Sequence, residues 1–377
     1  MVYDIAIVGA GASGLMFASQ IKNRNICLIE SNSKIGQKIK VSGGAKCNIT
    51  NEKVSSDNYL GDRKLSSFVL KEFSNKDLLN FLNNNGVYPK INPKIVKGTY
   101  FCQSSQDVID MFSKTTSHVK KFLNTKVVDV DFNEIFIIKT DSQNIKAKKL
   151  VVASGGLSYE GLGASSIAFD IAKKFGHTVT KLNPALVGFT VQKEQFWFKK
   201  LSGLSIMAKA KVENKSFYGS LLFAHKGCSG PIILNSSLYW KKGKMSFDFL
   251  PNKKIKKLLT GNALISSRIP LPKRFMQEFL NSIKVEDKPC NKLNIEELKS
   301  LETIHNYEFS PAGNFGYTKA EVTKGGISTD EIDFQSMESL KQKDLYFLGE
   351  CLDVTGELGG YNFQFAFSSA VSCANRI

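Results

Sequence analysis

Three glycines spaced Gly9-x-Gly11-x-x-Gly14 stand directly after an apolar run, and a carboxylate, Glu30, ends the next apolar run. Each residue type has a chemical use. Gly9 permits a tight turn, Gly11 lets main chain come close to a pyrophosphate, and Gly14 lets a helix pack closely on a strand. A helix opening at this point aims N–H groups and the positive end of its dipole at phosphate oxygens. Glu30 would accept hydrogen bonds from ribose hydroxyls and repel a 2′-phosphate, which argues against NADP at this position and leaves FAD or NAD. Three further glycine clusters favour FAD, because a flavin dinucleotide crosses more of a fold and needs more close main-chain approaches. They are Ser42-Gly43-Gly44-Ala45-Lys46-Cys47-Asn48, Ala153-Ser154-Gly155-Gly156, and Gly349-Glu350 through Gly359-Gly360-Tyr361-Asn362.

These residues need elements to hold them. Residues 3–8 read as a buried strand, 15–21 as a helix and 26–29 as the next strand, a βαβ unit at the start of the chain. Residues 31–60 show no sustained period and predict loop with one helical turn. Helical periodicity covers 68–85 and 106–122, residues 126–140 alternate like strands, and 150–153 is an apolar strand. From 189 to 249, short strand-like runs between Gly and Asn turns predict a separate β-rich module. Residues 277–301 then read as helical, 320–327 and 345–348 as strands, and 361–377 as a helix after a glycine-rich turn.

With 377 residues, 42% hydrophobic and 23% charged, the chain is a folded protein of two or three domains, not a disordered, collagenous or coiled-coil one. Lys and Arg number 51 against 34 acids, a net charge of +17, and residues 241–274 hold ten basic residues against one acid, Asp248. A polyanionic partner would explain this. A lysine-rich composition, seen also in 27 Phe beside two Trp, is the preferred explanation, so nucleic acid is not the expected partner. Seven cysteines, odd in number and without a C-x-x-C pair, point to a reducing cytoplasm. No run suggests a membrane span, and Asp4 with the early glycines argues against a secretory leader. No metal-ligand spacing surrounds His118, His177 or His305, so no metal is expected.

The motifs resemble those of the BaiN/RdsA-type FAD-dependent oxidoreductases, a family that includes YhiN-like flavoproteins and proteins labelled aminoacetone oxidases. The likeness lies in Gly43-Gly44-Ala45-Lys46-Cys47-Asn48-Ile49-Thr50-Asn51, in His225-Lys226-Gly227-Cys228-Ser229-Gly230-Pro231, and in Gly349-Glu350-Cys351-Leu352-Asp353-Val354-Thr355-Gly356 running on to Gly359-Gly360-Tyr361-Asn362-Phe363-Gln364. The resemblance implies an α/β fold: a glutathione-reductase-type, Rossmann-like FAD-binding domain split over 1–187 and 321–377. A β-barrel-like domain would be inserted at 188–320, with a small helical module at about 253–302. Gly349-Glu350 and Asp353 would lie by the ribityl chain, and the helix after Gly360 would aim its N-terminus at the flavin pyrimidine ring. The expected cofactor residues are Gly9, Gly11, Ala12, Ser13, Gly14, Glu30, Gly36, Lys38, Ser42, Gly43, Gly44, Cys47, Asn48, Val128, Ser154, Gly155, Gly156, Gly349, Glu350, Asp353, Gly359, Gly360, Tyr361 and Asn362. Ser158 and Tyr159 are candidates for lining the same pocket. Lys46 stands where the family has Arg, Ala45 where it has Gly, Ser154 where it has Thr, and 160–166 departs from a Gly- and Thr-rich stretch.

The catalytic acid or base is not assigned; His225, Lys46 and Cys47 are the candidates. Cys47 has no partner cysteine near it in sequence, so a structural thiol is the preferred reading and disulfide reductase activity is not expected. The expected function is hydride transfer between FAD and a small organic substrate, with NAD(P)H as a transient electron donor, since one dinucleotide fingerprint is present. The alternative is a flavoprotein that acts on or binds RNA through its basic insertion; a non-enzymatic flavin-binding protein is the third reading.

Overall fold

Val2–Val8 (β1) carries Ile5, Ala6 and Ile7, all fully buried, so both faces of the strand are covered, as in the middle of a parallel sheet. After α1 (Ala12–Gln20) the chain returns as β2 (Ile26–Ile29), parallel to β1. The remaining strands of this sheet are β3 (Lys120–Phe122), β4 (Val127–Asn133), β5 (Ile135–Thr140), β6 (Asn144–Val152) and β7 (Leu345–Phe347), in the order β3-β2-β1-β6-β5-β4 with β7 joined to β6. Pairings among β3, β2, β1, β6 and β7 are parallel, while β5 and β4 complete an antiparallel flap. The register sets Val8 beside both Ile29 and Val152, and Val152 beside Phe347. Four strands far apart in sequence therefore end level with one another.

This computed structural model describes residues 1–92 and 96–377. Its residues form two units, Met1–Pro184 with Glu321–Ile377, and Ala185–Ala320, each with its own apolar cluster. In the first unit the last helix, α2 (Tyr361–Ala374), is buried along most of its length. A helix buried on every side belongs in a core, and its polar Gln364 and Ser368 are hydrogen-bonded there to Thr50 and to the Phe73 carbonyl.

The segment 31–60, expected as loop, holds the helix Gln37–Ala45 and the strands Asn48–Asn51 and Tyr59–Gly61. Its helix contains non-helical residues at Ser42, Gly43 and Gly44, and its strands pair with Thr99–Phe101 and Val354–Gly356, so no local period reveals them. The helical reading of 68–85 divides into Arg63–Glu72 and Asn75–Asn84 because Ser74 caps the second helix in a box with Asp77. That of 106–122 stops at Thr115, and its end becomes β3. Residues 277–301 likewise divide, between Lys273–Ser282 and Ile295–Glu302, where Asn294 and Glu297 form a second box.

The second unit is an antiparallel sheet in the order Tyr307–Phe309, Met245–Asp248, Ser205–Val212, Lys215–Ala224, Gly227–Ser229, Phe189–Val191, Pro311–Asn314. The first and last of these strands are joined by Ser310 alone, which brings the two sheet edges together into a nearly closed barrel. Ser205–Val212 alternates exposed and buried at every residue, the pattern of a strand with one wet face. Four short helices between Met245–Asp248 and Tyr307–Phe309 form the helical module. No helix among the described residues is long and apolar enough to cross a membrane.

Candidate active site

The level strand ends of β1, β2, β6 and β7 set the stage, because turns leaving the carboxyl ends of parallel strands converge on one crevice. After β1 comes the Gly9 turn, after β2 Glu30, after β6 Ser154-Gly155-Gly156, and after β7 Gly349-Glu350. The three fingerprint glycines differ in what a side chain would meet. At Gly9 (φ +104°) a Cβ would lie 2.6 Å from the Ala153 carbonyl oxygen, and at Gly14 it would strike the Gly9 carbonyl oxygen; at Gly11 nothing lies within 4 Å. Gly9 and Gly14 hold the turn together, and Gly11 leaves its approach open.

Around this opening the groups suit a dinucleotide. No side chain caps α1 at Gly11, so its first N–H groups are left without a side-chain partner. Gly44 and Gly155 also have nothing within 4 Å of a Cβ. The Ser154 hydroxyl is buried without a hydrogen-bond partner among the described residues, an orphan that a bound phosphate or hydroxyl would satisfy. Glu30 is 9% exposed and held rigidly: one oxygen accepts the Ala10 N–H at 2.8 Å, the other the Asn32 N–H at 2.9 Å and its side-chain amide at 2.7 Å. The same Asn32 amide reaches the Leu162 carbonyl at 2.9 Å, which ties the unusual 160–166 stretch to this corner.

Gly349 (φ +69°) packs directly on Ser13, since a Cβ there would collide with the serine hydroxyl. Lys38, from the kinked helix Gln37–Ala45, pairs with Glu350 at 2.6 Å, and the other Glu350 oxygen accepts the Thr323 N–H at 3.0 Å. The Thr323 hydroxyl in turn accepts the Leu157 N–H at 2.8 Å, so Thr323 braces the Gly155-Gly156 turn. Glu321 lies two residues before Thr323 and accepts no hydrogen bond or ion pair among the described residues. Burial pushes its pKa up to about 7 against the pull of Lys38, and burial with the Glu321 charge raises that of Tyr159. Lys38 sits 6.0 Å from the centre of the Tyr159 ring.

Sequence reasoning named Lys38, Glu350, Gly349 and Tyr159 but missed Glu321 and Thr323. Their only signal was the strand reading of 320–327, which places alternate side chains on one face. Asn362 is tied at both ends of its amide to Gly356, at 2.8 and 2.9 Å, and Tyr361 packs edge-on against Tyr59 at 6.1 Å. Asp353 accepts from Thr180 at 2.9 Å, and burial raises its pKa. Gly36 and Gly360 are left-handed N-caps, of Gln37–Ala45 and of α2. Val128 is exposed on β4, and Lys46 is exposed at the end of Gln37–Ala45. His225 is exposed in a turn of the second unit. Gly43, Gly44, Ala45 and Cys47 all have positive φ, between +49° and +66°. The left-handed φ of +65° at Ala45 supplies the reason a glycine suits that position.

A doubly covered parallel sheet with this glycine framework, carrying a barrel-like insertion, defines an FAD-dependent oxidoreductase. The chain belongs to the HI0933-like family: the family model of the HI0933-like protein Rossmann domain matches residues 3–376. It is 35% identical over 390 residues to a Haemophilus influenzae protein named Ribosomal RNA dihydrouridine synthase, covering 98% of this chain and 96% of the relative. It is 27% identical to a Clostridium scindens protein named 3-dehydro-bile acid delta(4,6)-reductase, covering 97% and 96%. In fold it is similar to 3-ketosteroid delta1-dehydrogenase from Sterolibacterium denitrificans, with a TM-score of 0.52, 11% identity and full coverage of both chains.

Proposed function

We propose that this chain reduces the C5–C6 double bond of uracil in RNA, using FAD with NAD(P)H as electron donor, in the cytoplasm. The observation that carries the reading is the 35% identity, along nearly the whole chain, to a protein named Ribosomal RNA dihydrouridine synthase. The basic insertion supports it. Lys244 and Lys256 are paired with Glu308 and Glu302. Lys241, Lys242, Lys253, Lys254 and Lys257 are exposed with no carboxylate partner among the described residues, a surface that attracts phosphates in a salt-dependent way. Composition alone placed nucleic acid second; the relative moves it first.

Bound FAD supplies the two-electron chemistry. The Gly9–Gly14 turn and the open N-terminus of α1 would hold its pyrophosphate, Glu30 a ribose, and Glu350, fixed by Lys38 and Thr323, the chain that leads to the flavin. Saturating a double bond conjugated to a carbonyl also requires a proton at the carbon next to that carbonyl. We assign that proton to the Glu321 carboxyl. All seven cysteines are buried, and the described histidines of the first unit are held by hydrogen bonds, His118 to the Ile21 carbonyl and His177 to Ser339. A carboxyl with a pKa of about 7 is suited to give a proton at neutral pH. A small enone is the second substrate class, favoured by the 27% identity to a bile acid reductase, and it needs the same proton.

The test is anaerobic incubation of holoprotein, NADPH and unmodified ribosomal RNA, followed by mass analysis of the nucleosides. Two hydrogen atoms gained by uridine support the reading; unchanged RNA beside a rapidly reduced enone would replace it with the second.

A further inference from the structure

Cys47 and Cys102, distant in sequence, meet across two strands. Asn48–Asn51 and Thr99–Phe101 run antiparallel with Asn48 opposite Phe101, so Cys47 and Cys102 are the next opposed pair. The Cys102 N–H donates to the Cys47 carbonyl oxygen at 3.3 Å. Residues opposed in this way have Cα atoms about 4.5–5.5 Å apart, within the roughly 4.4–6.8 Å that a disulfide spans. Both side chains are buried, 0% and 2% exposed. The neighbouring Cys47 side chain, reinforced by burial, raises the Cys102 pKa.

Cys47 also closes the left-handed run of the 42–47 loop, with its N–H on the Ser42 carbonyl at 3.0 Å. The ring of Phe101 packs on Gly43, 3.2 Å from where a Cβ would stand. The strand that ends just before Cys102 is thus the floor on which the loop rests.

We propose that Cys47 and Cys102 form a two-electron redox pair, closed to a disulfide by hydrogen peroxide, and that the bridge clasps the 42–47 loop and slows FAD release. The Cys47 sulfur attacks one peroxide oxygen; the O–O bond breaks, one water leaves with the thiol proton, and a sulfenic acid remains. The Cys102 sulfur then displaces the hydroxyl, which departs with the second thiol proton as water. Two thiols are oxidised to one disulfide and one peroxide is reduced to two waters. Peroxide is small and uncharged, which suits it to a buried pair. Cys27 and Cys351 are pushed up to about 12, mainly by burial, which keeps them in the unreactive thiol form.

The inference is independent of the substrate. FAD-loaded protein is treated with hydrogen peroxide, quenched, denatured and assayed for free thiols, and the rate of FAD release is followed by fluorescence. The expected result is a fall from seven thiols to five, reversed by dithiothreitol, a linked peptide joining Cys47 to Cys102, and FAD release slowed by roughly threefold or more, as rigidifying a binding loop predicts. Cys102→Ser should form no linked peptide; if it does not fold, Cys102→Ala serves, and peptide mapping of the wild type reads the bridge directly. Seven thiols surviving, a paired loss in Cys102→Ser equal to that of the wild type, or a bridged protein that releases FAD at the unbridged rate would overturn the proposal.

Discussion

The two units fill their interiors differently. In the first, β1, β2 and β6 meet through Ile, Val, Leu and Ala, and main chain packs directly on main chain where Gly14 meets Gly9 and Gly9 meets Ala153. In the second, Trp197 sits among Phe198, Phe223, Phe249, Phe275 and Phe279, with ring centroids 4.6–6.3 Å apart. Close main-chain packing leaves polar N–H groups near an opening, where a phosphate can meet them; ring packing fills volume and offers no such groups. The glycine-built unit suits a cofactor, and the ring-built unit suits a rigid scaffold.

Substitutions can break this contrast at graded cost. Gly14→Val places a branched side chain into the Gly9 carbonyl oxygen and should cost more than about 4 kcal/mol, read as failure to accumulate folded protein. Phe249→Ala empties the centre of the ring cluster and should cost about 3–5 kcal/mol in a melting experiment. Gly11→Val meets no protein atom, so its melting temperature without cofactor should stay near that of the wild type; FAD affinity should fall by at least about a hundredfold, roughly 2.7 kcal/mol. A Gly11→Val protein that purified with full flavin would overturn the placement of the site.

Smaller effects sharpen the comparison. Glu321→Gln should still be reduced by NADPH yet lose the later step in which substrate reoxidises the flavin. In the wild type that step needs the protonated carboxyl, so its rate should hold below about pH 7 and fall as pH rises above it. A pH-independent rate would remove Glu321 from the mechanism. Replacing Lys253, Lys254 and Lys257 by Ala should weaken RNA binding and flatten its logarithmic salt dependence by about 2–3, read by titration at several salt concentrations. Ala45→Gly relieves a left-handed alanine at the expense of a freer unfolded chain, and should stabilise the protein by about 0.5 kcal/mol.

What the sequence revealed follows contact distance along the chain. Gly9, Gly11, Gly14 and Glu30 lie within one βαβ unit, so local pattern carries them. The helix–strand–strand organisation of 31–60 was hidden because its strands pair with residues far along the chain and its helix is broken by left-handed residues. Glu321 and Thr323 escaped notice because nothing in a single strand marks which carboxylate is desolvated, and Cys102 because its partner arrives through a strand register that spacing does not encode. Gly349-Glu350 was legible as a glycine cluster, and the family resemblance added its place by the ribityl chain.

The most direct test of the central claim, that the glycine framework of the first unit holds a redox-active FAD, is the visible absorption spectrum of the purified protein, recorded before and after anaerobic addition of NADPH. Flavin bands should bleach on addition and return when RNA is supplied. A protein with no flavin bands even after incubation with FAD would contradict it.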